Sequence, residues 1–199
     1  MQIQTLFTNF LAINFLELDL LSIEKYCYYV KNNHPGRQVS NIGGWQSLNV
    51  VNDPELDTLK IKILEQVMQV HNHYKFTASN THVITDLWIN INGPNNFNAS
   101  HKHPNSMFSG VVYIKVPPNS GEIIFTTPIE AHDYVIRAGM CDELNEFTSY
   151  NWWQPPEPGK VIIFPGWLPH YVKPNLSMED RISISFNTQI YRGIDNLPQ

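Results

Sequence analysis

His101-Lys-His103 sets two imidazoles two residues apart. If this segment is extended, the period of two projects both from one face while Lys102 points away. That is a bidentate metal geometry, and it needs a third ligand. His170 supplies one, closing the unit Gly159-Lys-Val-Ile-Ile-Phe-Pro-Gly-Trp-Leu-Pro-His170: an apolar strand, a Pro-Gly turn, and a histidine opening the next strand. Beyond it Arg181 and Ser183 share one face of a further strand. An arginine there offers a planar fork suited to a carboxylate. The other histidines get no ligand role. His71 and His73 stand two apart on a helix, point to different sides and are expected at the solvated surface. His34, His82 and His132 stand alone and are expected at the surface or capped.

The elements that must carry these residues follow from periodicity. A first helix is expected over Glu17–Asn33, stopped by His34-Pro35-Gly36. A second starts at Asp53 as N-cap with Pro54 at the first helical position. It runs to about Tyr74 with Leu56, Leu59, Ile63, Val67 and Val70 on one face. Then the period becomes two, with strands expected over 81–92, 110–116, 122–125, 160–164 and 181–190. The irregular stretch 126–158 is expected to be a covering loop beside a site.

Alternation within the strands is informative. In Arg181-Ile-Ser-Ile-Ser-Phe-Asn187 the polar residues take one face and Ile182, Ile184 and Phe186 the other; in Trp88-Ile-Asn-Ile-Asn92, Asn90 and Asn92 oppose Ile89 and Ile91. This fits a sheet with its polar face in water, or a barrel with a polar, ligand-holding lumen whose apolar outside is covered by the two helices. The histidines favour the barrel. The expected architecture is mainly β with supporting α: a single domain over 1–199, with a helical support region over 1–80 and a β core over 81–192.

The chain has 199 residues, 42% hydrophobic and 16% charged, enough for a buried core and unlike a disordered chain. A net charge of −5 without a Lys/Arg cluster argues against duplex nucleic acid as a partner. No apolar run approaches a membrane span and the first residues do not resemble a secretory signal, so a cytoplasmic location is expected. Cys27 and Cys141 share no motif and are expected as free thiols. An exposed barrel edge leaves room for a homodimer.

Taken together, four segments resemble the Fe(II)/2-oxoglutarate-dependent oxygenases, in particular a bacterial and phage group. They are Ser40-Asn-Ile-Gly-Gly-Trp-Gln-Ser47, His101-Lys-His-Pro-Asn-Ser-Met-Phe-Ser-Gly-Val-Val-Tyr-Ile114, Gly159–His170 and Arg181-Ile-Ser-Ile-Ser-Phe-Asn187. The resemblance implies a double-stranded β-helix, a jelly-roll or cupin-like barrel. It implies Fe(II), O2 and 2-oxoglutarate, with oxidative decarboxylation to succinate coupled to hydroxylation of a substrate C–H bond. Arg181 and Ser183 would hold the distal carboxylate. Tyr113 could donate to the same carboxylate or be an ordinary strand aromatic packing outward. Asn90 could reach the keto-acid end or be a satisfied wall amide. Trp45, Asn96 and Asn98, from Gly43-Gly-Trp45 and Gly93-Pro-Asn-Asn-Phe-Asn98, are candidate contacts to a small-molecule or peptidyl substrate; both stretches also read as plain turns.

The wider superfamily carries His-x-Asp or His-x-Glu where this chain has His103. Three ligand sets follow: the triad His101, His103 and His170, which is preferred; two histidines with a carboxylate from Glu122 or Asp133; or a site without iron chemistry. The last would be a cupin-like binding module, or a zinc hydrolase on the same histidines.

Overall fold

The computed structural model describes residues 1–6, 8–129 and 140–192. Among them lie two helices, α1 (Leu20–Asn33) and α2 (Asp57–His73), and eleven strands. The strands are β1 (Ala12–Phe15), β2 (Asn41–Ile42), β3 (Trp45–Gln46), β4 (Asn80–Asn92), β5 (Phe97–His101), β6 (Phe108–Lys115), β7 (Ile123–Thr126), β8 (Asn151–Gln154), β9 (Lys160–Pro165), β10 (His170–Val172) and β11 (Arg181–Arg192).

Aspartates cap α1 and the turn that leads into α2. Asp19 Oδ1 accepts from the Ser22 amide at 3.1 Å, which places the start of α1 three residues later than the periodicity suggests. Asp53 accepts from the Glu55 amide at 3.0 Å, but Pro54–Leu56 form a 3-10 turn before α2 proper.

The strands form two antiparallel sheets. The larger has the order β1-β9-β6-β11-β4-β3 and the smaller β2-β5-β10-β7-β8. This is the double-stranded β-helix, with the helices outside the larger sheet. Ile182, Ile184 and Phe186 of β11 pack into one cluster with Ile89 and Ile91 of β4 and with Leu59, Ile63 and Val67 of α2. A second cluster, including Val111, Ile123, Phe125 and Phe164, fills the space between the sheets. The polar residues of β4 and β11 face that inner space, the barrel alternative of the two. The first 80 residues are not purely helical support: β1 and β3 flank the larger sheet and β2 edges the smaller.

The expectation for His71 and His82 is overturned. His71 continues the stripe of Val67 and Val70 and is 2% exposed; His82 lies on β4 and is 4% exposed. Their rings meet through His82 Nε2 and His71 Nδ1 at 3.2 Å, and His82 stacks on Phe108. Burial in this aromatic setting lowers the His82 pKa to about 4. Cys27 and Cys141 are both free. Among the described residues no helix is long and apolar enough to cross a membrane.

Candidate metal and co-substrate site

His101 ends β5 and His170 opens β10, and the two are register partners across the smaller sheet. His103 lies two residues past β5. Its amide donates to the Gly166 carbonyl at 2.8 Å, tying its turn to the Pro-Gly turn after β9. The ring centroids of His101 and His170 are 4.3 Å apart, and those of His103 and His170 are 5.1 Å apart and stacked. One ring nitrogen from each histidine lies within 4.8 Å of the others.

Backbone carbonyls set two of the three tautomers. His101 Nδ1 donates to the Ala99 carbonyl at 2.7 Å and His170 Nδ1 to that of Leu168 at 2.9 Å. Each Nε2 is thereby left with a free lone pair, as in outer-shell control of metal-bound imidazoles. Phe164 and Phe125 back His170 with apolar edges. Burial lowers all three pKa values, to about 4 for His103 and about 3 for His170, and in those two the neighbouring imidazoles add to it. At neutral pH the cluster is three uncharged donors, a set that fits a divalent transition metal.

Among the described residues no carboxylate joins the cluster. Glu122 is engaged elsewhere, with its carboxylate 3.2 Å from Lys173 Nζ, so it does not supply the missing oxygen ligand. Asp133 and His132 lie outside the described residues, as does the part of the expected covering loop over 130–139; the later part of that stretch is not all loop, since it carries β8 paired with β7.

The larger sheet faces the cluster with ranked polar residues. Across β6, β11 and β4 the register sets Tyr113 beside Ser183 and Asn90, then Val111 beside Ser185 and Trp88, then Ser109 beside Asn187 and Asp86. Arg181, paired with Asn92, stands at the other end of this series. His101, His103, His170, Arg181, Ser183, Tyr113, Asn90 and Asn98 all line one cavity.

Arg181 is 2% exposed. Its Nη1 donates to the carbonyls of Ser120 at 2.5 Å and Gly121 at 3.2 Å, but its buried Nε has no partner. Gly121 is required where it is: its φ is +86°, and a Cβ would meet the Lys173 carbonyl oxygen at 2.3 Å. A buried guanidinium with an unused donor on a cavity wall fits a carboxylate. Tyr113 points inward and is 2% exposed, so the outward-packing alternative does not hold. Burial pushes its phenol up to about 12, with the Arg181 charge acting in the opposite sense. Asn90 is only partly satisfied: Nδ2 donates to Ser185 Oγ at 3.1 Å, while its buried Oδ1 has no partner. Asn98 donates to Ser40 Oγ at 3.2 Å.

Trp45 and Asn96 are not brought to the cavity. Trp45 packs on the outer core cluster with its indole across Gly36, where a Cβ would meet Cδ1 at 2.5 Å. Asn96 lies in a turn whose backbone bonds Asn175, with its side chain against Gly43. Sequence reasoning missed Trp88, whose ring lies 5.6 Å from that of His103, and Asp86 beyond it. The signal was available, since both continue the alternation that singled out Asn90.

A family model described as "Putative 2OG-Fe(II) oxygenase" matches residues 86–187, just over half of the chain. No curated protein matches it in sequence. Similar solved structures include a prolyl-4-hydroxylase from Pseudomonas putida, at TM-score 0.60 and 16% identity over 90% of this chain and 93% of that one. The α-ketoglutarate-dependent epimerase SnoN from nogalamycin biosynthesis gives TM-score 0.65 and 14% identity over 91% and 81%. The viral collagen prolyl hydroxylase vCPH from Paramecium bursaria Chlorella virus-1 gives 0.56 and 13% over 89% and 94%. Those likenesses establish the shared fold; the family model carries the assignment, and by it the protein belongs to the 2OG-Fe(II) oxygenases, enzymes that use Fe(II), 2-oxoglutarate and O2.

Proposed function

We propose that the protein is a hydroxylase in which His101, His103 and His170 hold Fe(II) while Arg181 and Ser183 receive the distal carboxylate of 2-oxoglutarate. The observation that carries this is the convergence of three metal-ready imidazoles on the cavity that Arg181 also lines. When bound, the iron and its 2-oxo acid supply oxidative decarboxylation to succinate and the oxidation of a substrate C–H bond.

The chain's own contribution is placement and shielding. The Ala99 and Leu168 carbonyls hold two imidazoles in the tautomer that turns Nε2 inward. Three neutral imidazoles bring no negative charge, so compensation of a divalent ion falls to the dianionic co-substrate. Arg181, anchored through Nη1 to two carbonyls, keeps Nε for a ligand oxygen. Tyr113 and Asn90 flank Ser183 in the same rank, where a phenol and an amide can orient the acid. Phe125 and Phe164 exclude water behind His170.

The test is succinate formation from 2-oxoglutarate by anaerobically Fe(II)-loaded protein on exposure to air, beside His170→Ala and Arg181→Ala. Turnover lost in the first and strongly reduced in the second is the expected result. No turnover in the wild type, together with no metal-dependent 2-oxoglutarate binding by calorimetry, would return the barrel to the binding-module or zinc alternatives.

A further inference from the structure

The ranks of inward-facing residues on the larger sheet have two ends. Arg181 stands at one; Asp86, with Asn187 and Ser109 beside it on the neighbouring strands, stands at the other. The histidines reach the sheet between them, where His103 lies over Trp88. Asp86 follows Trp88 on the same face of β4, two residues or about 7 Å further along the strand. It is therefore one step past the histidines on the side away from Arg181, and near enough for its charge to act on His103.

Asp86 is half-buried and held by neutral groups only. Thr85 Oγ1 donates to it at 3.0 Å, Asn49 Nδ2 at 3.4 Å and Asn187 Nδ2 at 3.5 Å. Asn187 is itself oriented by Ser109, whose hydroxyl donates to its Oδ1 at 2.8 Å. Among the described residues no Lys, Arg or His forms an ion pair with Asp86. Among the described residues no counter-charge offsets the partial desolvation of this carboxylate. A cation arriving from outside would compensate it, and the indole of Trp88 next along the strand offers the aromatic face to which organic cations are also drawn.

We propose that Asp86 recognises the substrate, and that the substrate carries a cationic group, an amine or a guanidinium, received on the far side of the histidines from Arg181. This rests on the function proposed above. The arrangement separates two charge selections along one face of the larger sheet. Arg181 takes the anionic co-substrate at one end, and Asp86 rejects a second anion and admits a cation at the other.

The experiment uses protein loaded with Mn(II) and 2-oxoglutarate, each step checked by calorimetry before a probe is added. The probes are N-acetyl-lysine methylamide, N-acetyl-arginine methylamide and the uncharged N-acetyl-norleucine methylamide. Saturable relaxation enhancement of probe protons by Mn(II) reports binding beside the metal. The wild type is expected to bind the cationic probes about tenfold more tightly than the neutral one. Asp86→Asn is expected to bring that ratio to about one while Asp86→Glu keeps a preference. Because the readout is a ratio within one protein sample, partial loss of folded variant does not alter it. Equal binding of all probes by the wild type, or a preference that survives Asp86→Asn, overturns the proposal. So does loss of Mn(II) affinity in Asp86→Asn, which would make the carboxylate a servant of the metal. A wild type that fails to take up Mn(II) and 2-oxoglutarate overturns the oxygenase site itself, and the calorimetry shows this before any probe is present.

Discussion

The Nε2 atoms of His103 and His170 face each other at 3.3 Å, and His170 has already committed its ring proton to the Leu168 carbonyl. The gap can therefore be bridged only by a proton on His103 or by a cation. With both pKa values lowered far below neutrality neither ring takes a second proton at pH 7, so the single proton of neutral His103 closes the gap when it sits on Nε2, and its move to Nδ1 would leave both Nε2 lone pairs free for a metal. Removing one of three ligands should cost more than losing an outer-shell partner does. His170→Ala is expected to weaken Mn(II) or anaerobic Fe(II) binding by at least about a hundredfold in calorimetry. An affinity within about tenfold of wild type would instead mark the three imidazoles as a packing cluster.

Arg181 separates charge from shape. Arg181→Lys keeps a cation at the end of the lumen but loses the fork that holds two backbone carbonyls while presenting Nε. The dissociation constant for 2-oxoglutarate is expected to rise about tenfold or more on the metal-loaded protein, with metal affinity changing far less. Titration followed by calorimetry gives both numbers. Equal losses of the two would show that Arg181 supports the fold around the histidines more than it holds the acid.

How much of this was legible depended on whether position along an element or partnership across the sheet decided it. The strands that carry Asn90, Arg181 and Ser183 announce themselves by alternation. The His101, His103 and His170 spacing points at one site because both flanking strands belong to the smaller sheet. The two-residue strands β2 and β3 have no period to detect and exist only through their hydrogen bonds to β5 and β4. Trp45 illustrates the consequence: in sequence it sits in a glycine-rich turn, but pairing of β3 with β4 turns it onto the outer core. His71 was discounted for the wrong neighbour. Its partner is not His73 but the buried stripe four residues back at Val67, and across the cluster His82.

Gly110 is a point where packing leaves no room. A Cβ there would lie 2.3 Å from Phe186 Cζ and 2.6 Å from the Ile162 carbonyl oxygen. The second is backbone of the neighbouring strand and cannot swing away, so β6 must shift against β9 or β11. Gly110→Ala is expected to destabilise by about 1–3 kcal/mol, seen as a lower thermal midpoint by circular dichroism. Gly110 also lines the cavity, so the same variant is expected to weaken 2-oxoglutarate binding. An unchanged midpoint would mean that β6 is looser than its register implies.

His82 supplies a pH dependence remote from the metal cluster. Its pKa falls from the usual 6.5 to about 4 because burial and the adjacent His71 disfavour a second proton. Below about pH 6.5 the unfolded chain therefore binds a proton that the folded chain refuses, and stability falls with pH until about pH 4. The ceiling for this group is about 3 kcal/mol across the window. Phenylalanine can take its place in the stack on Phe108 without titrating. His82→Phe loses the bond to His71 at every pH, so its midpoint is expected to be lower throughout. The decisive quantity is the drop between pH 7 and pH 5, which is expected to be smaller in His82→Phe than in the wild type. An equal drop in both would assign the acid sensitivity to His101, His103 and His170, whose pKa values are lowered in the same sense.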